Sequence, residues 1–212
     1  MPAVKTITAI TRQRGRSLRV NVFIDGVFGF GLGAEVAAHV GLKVGQSLSQ
    51  TQIDDIARTE SAQSCYEAAL CFLSYRPRSG KEVGDRLRRR GFQPETVEGV
   101  LGRLRDKGLL DDRAFARFWR ESREAFRPRS RRLMEQELRW KGVDAPTAQV
   151  AMEGVDEEEN ALRAGEKKAR SLASLDHQDF RRKLGDHLRR RGFSWEVVRH
   201  TVERLWAQKG SG

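Results

Sequence analysis

The sequence predicts a mainly α-helical chain: three tandem three-helix repeats in an elongated array, preceded by a small β-rich N-terminal domain. Three observations carry that expectation. The string Leu87-Arg88-Arg89-Arg90-Gly91-Phe92 recurs unchanged as Leu188–Phe193, and a weaker copy, Leu138-Arg139-Trp140-Lys141-Gly142-Val143, lies 51 residues after the first and 50 before the third. After each string, residues recur at i, i+3, i+4, i+7: Val97, Val100, Leu101 and Leu104, then Ala148, Ala151, Met152 and Val155, then Val198, Thr201, Val202 and Leu205. That spacing is the single buried stripe of an amphipathic helix. Before residue 34, in contrast, apolar and polar residues alternate with the two-residue period of strands.

Along the chain, Val4–Ile10 alternates, and Leu18, Val20, Val22 and Ile24 alternate with Arg19, Asn21 and Phe23. Arg12-Gln13-Arg14-Gly15-Arg16 between them reads as a basic turn, and Asp25-Gly26 as a hairpin turn leading into Val27, Phe28 and Phe30. A short helix is expected over residues 34–40, stopped by Gly41. Ser49 caps a second, running through Ile53 and Ile56. This block, residues 1–58, is too small to be stable by a wide margin alone and leans on the helical part of the chain.

From about Cys65 the pattern is helical and modular. Ser79 with Glu82 forms a capping box. Gly91, Gly142 and Gly192 sit where a helix end wants positive φ. Pro94 and Pro146 fall near helix starts, and Asp144 and Ser194 cap the third helices. Asp111-Asp112 opens a helix carrying Phe115, Phe118 and Trp119, and the acidic run Asp156–Glu159 suits another helix start. Tyr75-Arg76-Pro77-Arg78-Ser79 recurs as Phe126–Ser130, but the third module has Asp176-His177-Gln178-Asp179-Phe180 there. The predicted domains are residues 1–58, 59–110, 111–155 and 156–207. Modules this short bury their apolar faces mainly against their neighbours.

Charge narrows the function. Forty Lys and Arg against 29 Asp and Glu leave +11, spread as +3, +5 and +3 over residues 1–58, 59–155 and 156–212. Such a balance favours a polyanion or an acidic protein groove as partner. The longest stretch without a charged residue, Val44–Ile53, is ten residues and mostly polar, whereas a membrane span needs about 20 apolar ones. No apolar export segment occupies Met1–Ile10, so a cytoplasmic protein is expected. Cys65 and Cys71, about 9 Å apart along a shared helix, are too far apart for a disulfide and read as small core residues.

Gly29-Phe30-Gly31-Leu32-Gly33-Ala34 fits a loose dinucleotide fingerprint with Asp54 downstream, but no second strand intervenes, and it reads as a glycine-rich strand end. Gly80-Lys81 is followed by Glu82 and is not a phosphate-binding loop. His39, His177, His187 and His200 have no ligand spacing, and nothing pairs a nucleophile with a base. Neither cofactor, metal nor catalysis is expected.

The basic clusters carry the binding expectation: Arg86, Arg88, Arg89 and Arg90; Arg127, Arg129, Arg131 and Arg132; Arg139 and Lys141; Arg181, Arg182 and Lys183; and Arg189, Arg190 and Arg191. Arginine dominates, and its fork suits phosphate and carboxylate. Trp119 suits inter-helix packing, Trp195 suits packing or stacking, and Trp140, between Arg139 and Lys141, is the best candidate for an exposed ring.

At these residues a family resemblance appears. Ala69–Ser79, Glu82-Val83, Leu87, Gly91-Phe92, Gly108–Asp112 with Phe115-Ala116, and Ser130 with Glu137–Val143 resemble the RecX regulatory proteins of bacteria over about residues 65–206. Residues 1–58 are similar to the β-rich extension of longer members. The resemblance implies a non-enzymatic modulator of the RecA recombinase. Such a protein binds the RecA–single-stranded-DNA filament, lodges in its groove and restrains RecA in DNA repair and the SOS response. The Arg clusters, with flanking Ser79, Glu82, Glu137 and the glycines, would form the interface of a cytoplasmic monomer. The alternatives are a direct helix-turn-helix-like DNA-binding regulator, and a small-ligand or enzymatic role for residues 1–58.

Overall fold

A computed structural model describes residues 4–13 and 18–209, which fall into two units: residues 1–76 with 83–109, and residues 77–82 with 110–212. The first unit opens with β1 (Lys5–Arg12), β2 (Arg19–Ile24) and β3 (Val27–Gly33), then α1 (Ala34–Val40) and a short β4 (Ser47–Leu48), in an antiparallel sheet ordered β3-β2-β1-β4. The hairpin between β2 and β3 turns on Asp25 (φ 50°) and Gly26 (φ 83°), the pair of left-handed residues a tight two-residue turn requires. Arg14 to Arg16 of the expected basic turn lie outside the described residues.

Ile7, Val22, Ile24, Leu32, Val36, Leu48 and Ile56 form the core of this block. Leu18 does not join it. It precedes the strand and is 78% exposed, so the alternation overreached by one residue. The glycine-rich segment is strand β3, and the Gly33 amide donates to Glu60 Oε2 at 2.8 Å instead of facing a free anion site.

Helix α2 (Gln50–Leu73) is one unbroken 24-residue helix that crosses residue 58. Its start is a full capping box: Ser49 Oγ accepts from the Gln52 amide, and the Gln52 side chain accepts from the Ser49 amide. Ile56 packs on the sheet, while Cys65, Tyr66 and Ala69 are buried further along. Cys71, expected in the core, is exposed. Six helical residues advance by about 600°, which carries it well round the helix from buried Cys65. Helices α3 (Gly80–Arg89) and α4 (Pro94–Asp106) complete the first module, burying Val83, Leu87, Val97 and Leu104.

The second unit holds α5 (Asp112–Phe126), α6 (Arg131–Trp140) and α7 (Ala145–Ala151), then α8 (Glu157–Ser171), α9 (His177–Arg189) and α10 (Trp195–Lys209). Phe115, Met134, Leu138 and Met152 centre one core, and Phe180, Leu184, Leu188 and Val202 the other. The expected caps form at Asp111, Asp144 and Asp156, each accepting from a first-turn amide, and Asp176, which the sequence did not single out as a cap, does the same. Helix α9 has 13 residues against ten in α3 and α6. Pro77 and Pro128 disfavour helix just ahead of α3 and α6, whereas the third module has no proline there.

One joint occurs twice in this unit. The buried Ser79 hydroxyl donates to the Lys141 carbonyl at 2.6 Å, and the buried Ser130 amide donates to the Arg191 carbonyl at 3.1 Å. Beside them, the Gly80 amide donates to Asp112 Oδ1 at 2.9 Å and the Arg131 amide to Glu157 Oε1 at 2.8 Å. Gly142 (φ 83°) and Gly192 (φ 87°) leave room for the approach: a Cβ there would stand 2.5 Å from Lys81 Cβ or Ser130 Oγ. Gly91 (φ 90°) has the same backbone, but nothing lies within 4 Å of such a Cβ. We therefore expect Gly91→Ala to cost only the left-handed strain, about 1 kcal/mol. Gly192→Ala should add an overlap and cost about 2–4 kcal/mol. Urea midpoints measure both, and equal losses would show that the joint does not bear on stability.

Candidate partner interface

The arginines ahead of the three glycines have three different fates. In the first unit, Arg88 pairs with Asp85 at 3.3 Å and Glu98 at 3.1 Å, and the Arg86 guanidinium lies 5.7 Å from the Phe72 ring. Arg89 and Arg90 are exposed, with no ion pair among the described residues.

In the second unit, Lys141 is structural. Its ammonium binds Glu82 at 2.7 Å and lies 4.5 Å from the Trp119 ring. Arg189 pairs with Asp186, Arg182 with Asp179 at 2.9 Å and Arg131 with Glu135 at 3.0 Å. The hydrogen bond between Arg182 and Asp179 holds the guanidinium pKa up and the carboxyl pKa down. Arg127, Arg132, Arg139, Arg181, Lys183 and Arg190 have no ion pair among the described residues, and Trp140 is 66% exposed.

Glu137 explains where other cations go. Its carboxylate is 7% exposed and accepts from Trp119 Nε1 at 2.9 Å, from Arg123 Nε at 2.7 Å and from Arg129. Trp119 packs against the Phe115 core as the sequence suggested, and Arg123 also lies over its ring at 4.2 Å. A buried carboxylate needs this many donors to offset lost hydration.

The repeated joint has an electrostatic consequence. Because the Ser130 amide sits on the Arg191 carbonyl, the segment carrying Arg127 and Arg129 meets the segment carrying Arg190 and Arg191. Burial pulls the Arg191 pKa down, and Arg129, Arg190 and Arg127 pull it further. These are like charges gathered at one place, with Glu137 already engaged. His187, near the same turn, lies 3.1 Å from the Ala164 carbonyl, and burial, then Arg191, lower its pKa.

The structure adds residues that the sequence reading passed over. Arg113, Arg117 and Arg120 lie at i, i+4, i+7 on α5, a spacing that could have been read as one face. Arg120 closes the end of α7 by donating to the Ala151 and Glu153 carbonyls at 3.3 and 2.7 Å, while Arg113 and Arg117 are exposed. Trp195, already singled out from the sequence, is 62% exposed and lines a small pocket with Arg181, Arg189 and Arg199, of which Arg199 was not foreseen. Among the described residues no set of three His, Cys, Asp or Glu side chains gathers as a metal-binding group, and no helix is long and apolar enough to cross a membrane.

Comparison with known proteins matches the whole architecture. Family models for the first, second and third three-helix domains of RecX match residues 65–104, 111–152 and 156–202, and the RecX N-terminal domain model matches residues 5–49. The regulatory protein RecX of Chlorobium limicola is 38% identical over 138 residues, covering 65% of this chain and 87% of the relative. The chain belongs to the RecX family. The RecX protein of Bacillus subtilis is 29% identical over 202 residues, 94% of this chain and 76% of the relative. A crystal structure of a regulatory protein RecX superposes with a TM-score of 0.71 at 25% identity, over 94% of this chain and 99% of that one. The RecX fold of Lactobacillus salivarius is also similar, with a TM-score of 0.60 at 23% identity over 69% of this chain and 97% of the other. The sequence resemblance and the mainly helical, three-module architecture are thereby established for this RecX-family chain.

The buried groups lead to two expected outcomes. Glu137→Ala strands Arg123 and Arg129 and should cost about 3 kcal/mol in urea unfolding; a loss below about 1 kcal/mol would deny the carboxylate its anchoring role. His187 has a lowered folded-state pKa, so the unfolded chain takes up the proton first. Stability should hold above about pH 6.5 and fall as pH drops from there toward the depressed value. His187→Gln should flatten that slope in thermal melts between pH 7.5 and 5.

Proposed function

We propose that this RecX-family protein is a non-enzymatic regulator that binds the RecA–single-stranded-DNA filament and restrains RecA in recombination, DNA repair and the SOS response. Family membership supports the reading. The observation that carries it is the meeting of Arg127, Arg129, Arg190 and Arg191 at one joint, with a single buried carboxylate already shared by Arg129 and Arg123. Like charges gathered at one place favour an incoming anion, whether phosphate or an acidic protein groove.

Within the second unit, the remaining open cations Arg132, Arg139 and Arg181 would add to the contact. Ion pairing of this kind sets the rate and salt dependence of association more than its ultimate tightness. The protein works as a cytoplasmic monomer on this reading and needs no cofactor.

The test is co-sedimentation with RecA filaments, compared with bare single-stranded DNA, at two salt concentrations, alongside RecA ATPase. We expect retention by the filament, lower ATPase activity and affinity that falls as salt rises. Arg127→Ala with Arg190→Ala should weaken filament binding about tenfold. No retention and no effect on ATPase at stoichiometric protein would overturn the proposal. Equal affinity for bare DNA and filament would favour direct DNA binding instead.

A further inference from the structure

The three modules present the same helix, α3, α6 and α9, with different electrical characters. Three residues before the first basic position of each repeated string stand Asp85, Gln136 and Asp186. In the first module Asp85 pairs with Arg88 at 3.3 Å, and Glu98 adds a second bond at 3.1 Å. In the third, Asp186 pairs with Arg189, and Asp179 holds Arg182 at 2.9 Å. The middle module has an uncharged amide at that place. Arg139, the partner that an aspartate there would hold, has no ion pair among the described residues, and neither has Arg132 two turns earlier.

The middle helix differs at the next position too. Where the others carry exposed Arg89 and Arg190, it carries Trp140, 66% exposed. Arg132, Gln136, Arg139 and Trp140 fall within an arc of about 100° and about 12 Å of helix axis. All four are exposed, and the Trp140 ring has no aromatic or cation–π neighbour among the described residues. Glu135 on the same helix is taken by Arg131, and an open indole flanked by two guanidiniums that hold no ion pair among the described residues is the combination that holds a stacked base and its phosphates. A protein partner would instead need surrounding apolar surface to keep water from the tryptophan. The residues around Trp140 on this arc are two arginines and a glutamine.

We propose that the exposed face of α6 is a single-stranded nucleic-acid subsite. Trp140 stacks on a base, Arg132 and Arg139 hold the adjoining phosphates, and Gln136 keeps those cations unpaired. The corresponding faces of α3 and α9 are partly neutralised by their own aspartates and contribute less. This deepens the reading above, on which it rests for the source of the strand. Its chemistry is measured on bare oligonucleotides, so either proposal can fail without the other.

The experiment uses the full chain, a fluorescein-labelled oligo-dT and an abasic oligomer of equal length, read by anisotropy at low salt. Trp140→Ala should weaken oligo-dT binding about tenfold and leave the abasic oligomer unchanged, with Trp140→Phe intermediate. Gln136→Asp should weaken both probes about fivefold or more by pairing Arg139, and Asp186→Gln should strengthen both. Gln149→Asp, an exposed change of equal charge on α7, separates local pairing from net charge and should have a smaller effect. Circular dichroism confirms the fold of each variant. Equal binding of oligo-dT by Trp140→Ala and the parent would overturn the stacking role. Gln136→Asp and Gln149→Asp acting alike would overturn the pairing role. Loss of filament binding in Trp140→Ala with oligo-dT binding intact would assign the face to a protein partner and overturn the proposal.

Discussion

A helix end leaves carbonyl groups without partners, and a helix start leaves amides without them. In the second unit the serine at the start of one helix supplies a donor to a carbonyl at the end of another, from its hydroxyl at one joint and its amide at the other. Ser79 donates its hydroxyl to the Lys141 carbonyl, and Ser130 its amide to the Arg191 carbonyl, while each serine also caps its own helix. The approach is so close that Gly142 and Gly192 have no space for a methyl group. Their positive φ alone would favour glycine; the contact makes the demand stricter. At Gly91 only the backbone demand remains.

The same joint shapes the electrostatics. The serine at its centre is preceded by Arg-Pro-Arg, and the carbonyl it meets belongs to an arginine or lysine ahead of the glycine. Packing the joint therefore concentrates cations. At the first joint the charge is answered, because Glu82 reaches the Lys141 ammonium. At the second it is answered only in part: Glu137 takes Arg129, while Arg191, with no ion pair among the described residues, has Arg129, Arg190 and Arg127 as like-charged neighbours. A structural contact and a candidate recognition surface are here one object, and the proline that ends the preceding segment serves both.

Net charge is thus a poor guide to what a partner meets. Of the basic residues in the repeated strings and the segments before them, Lys141 is taken up by packing, Arg88 and Arg189 are paired by their own helices, and Arg129 serves a buried carboxylate. What remains open is a smaller set, concentrated at the second joint and on the outer faces of α3, α6 and α9. Single-residue differences between equivalent positions, such as Gln136 against Asp85 and Asp186, then decide which face is electrically open.

Much of this was legible in the chain as written. The helices of the modules, their caps at Ser49, Asp111, Asp144 and Asp156, the left-handed glycines and the Asp25-Gly26 turn come from neighbours within four residues, where helical and strand periods and backbone sterics act. The recurring string announced the modules. Other features lay beyond that range. Cys71 left the core, α2 ran on past residue 58, and α9 began a turn early. Lys141 could not be told from a binding cation, since Glu82 lies 59 residues away in sequence and becomes its neighbour only when the modules dock. The same holds for Arg191, whose surroundings come from a segment some 60 residues earlier. Periodicity records which side of an element is buried; it carries no record of which distant side chain will stand opposite, and that choice fixes whether a charge is engaged or left open.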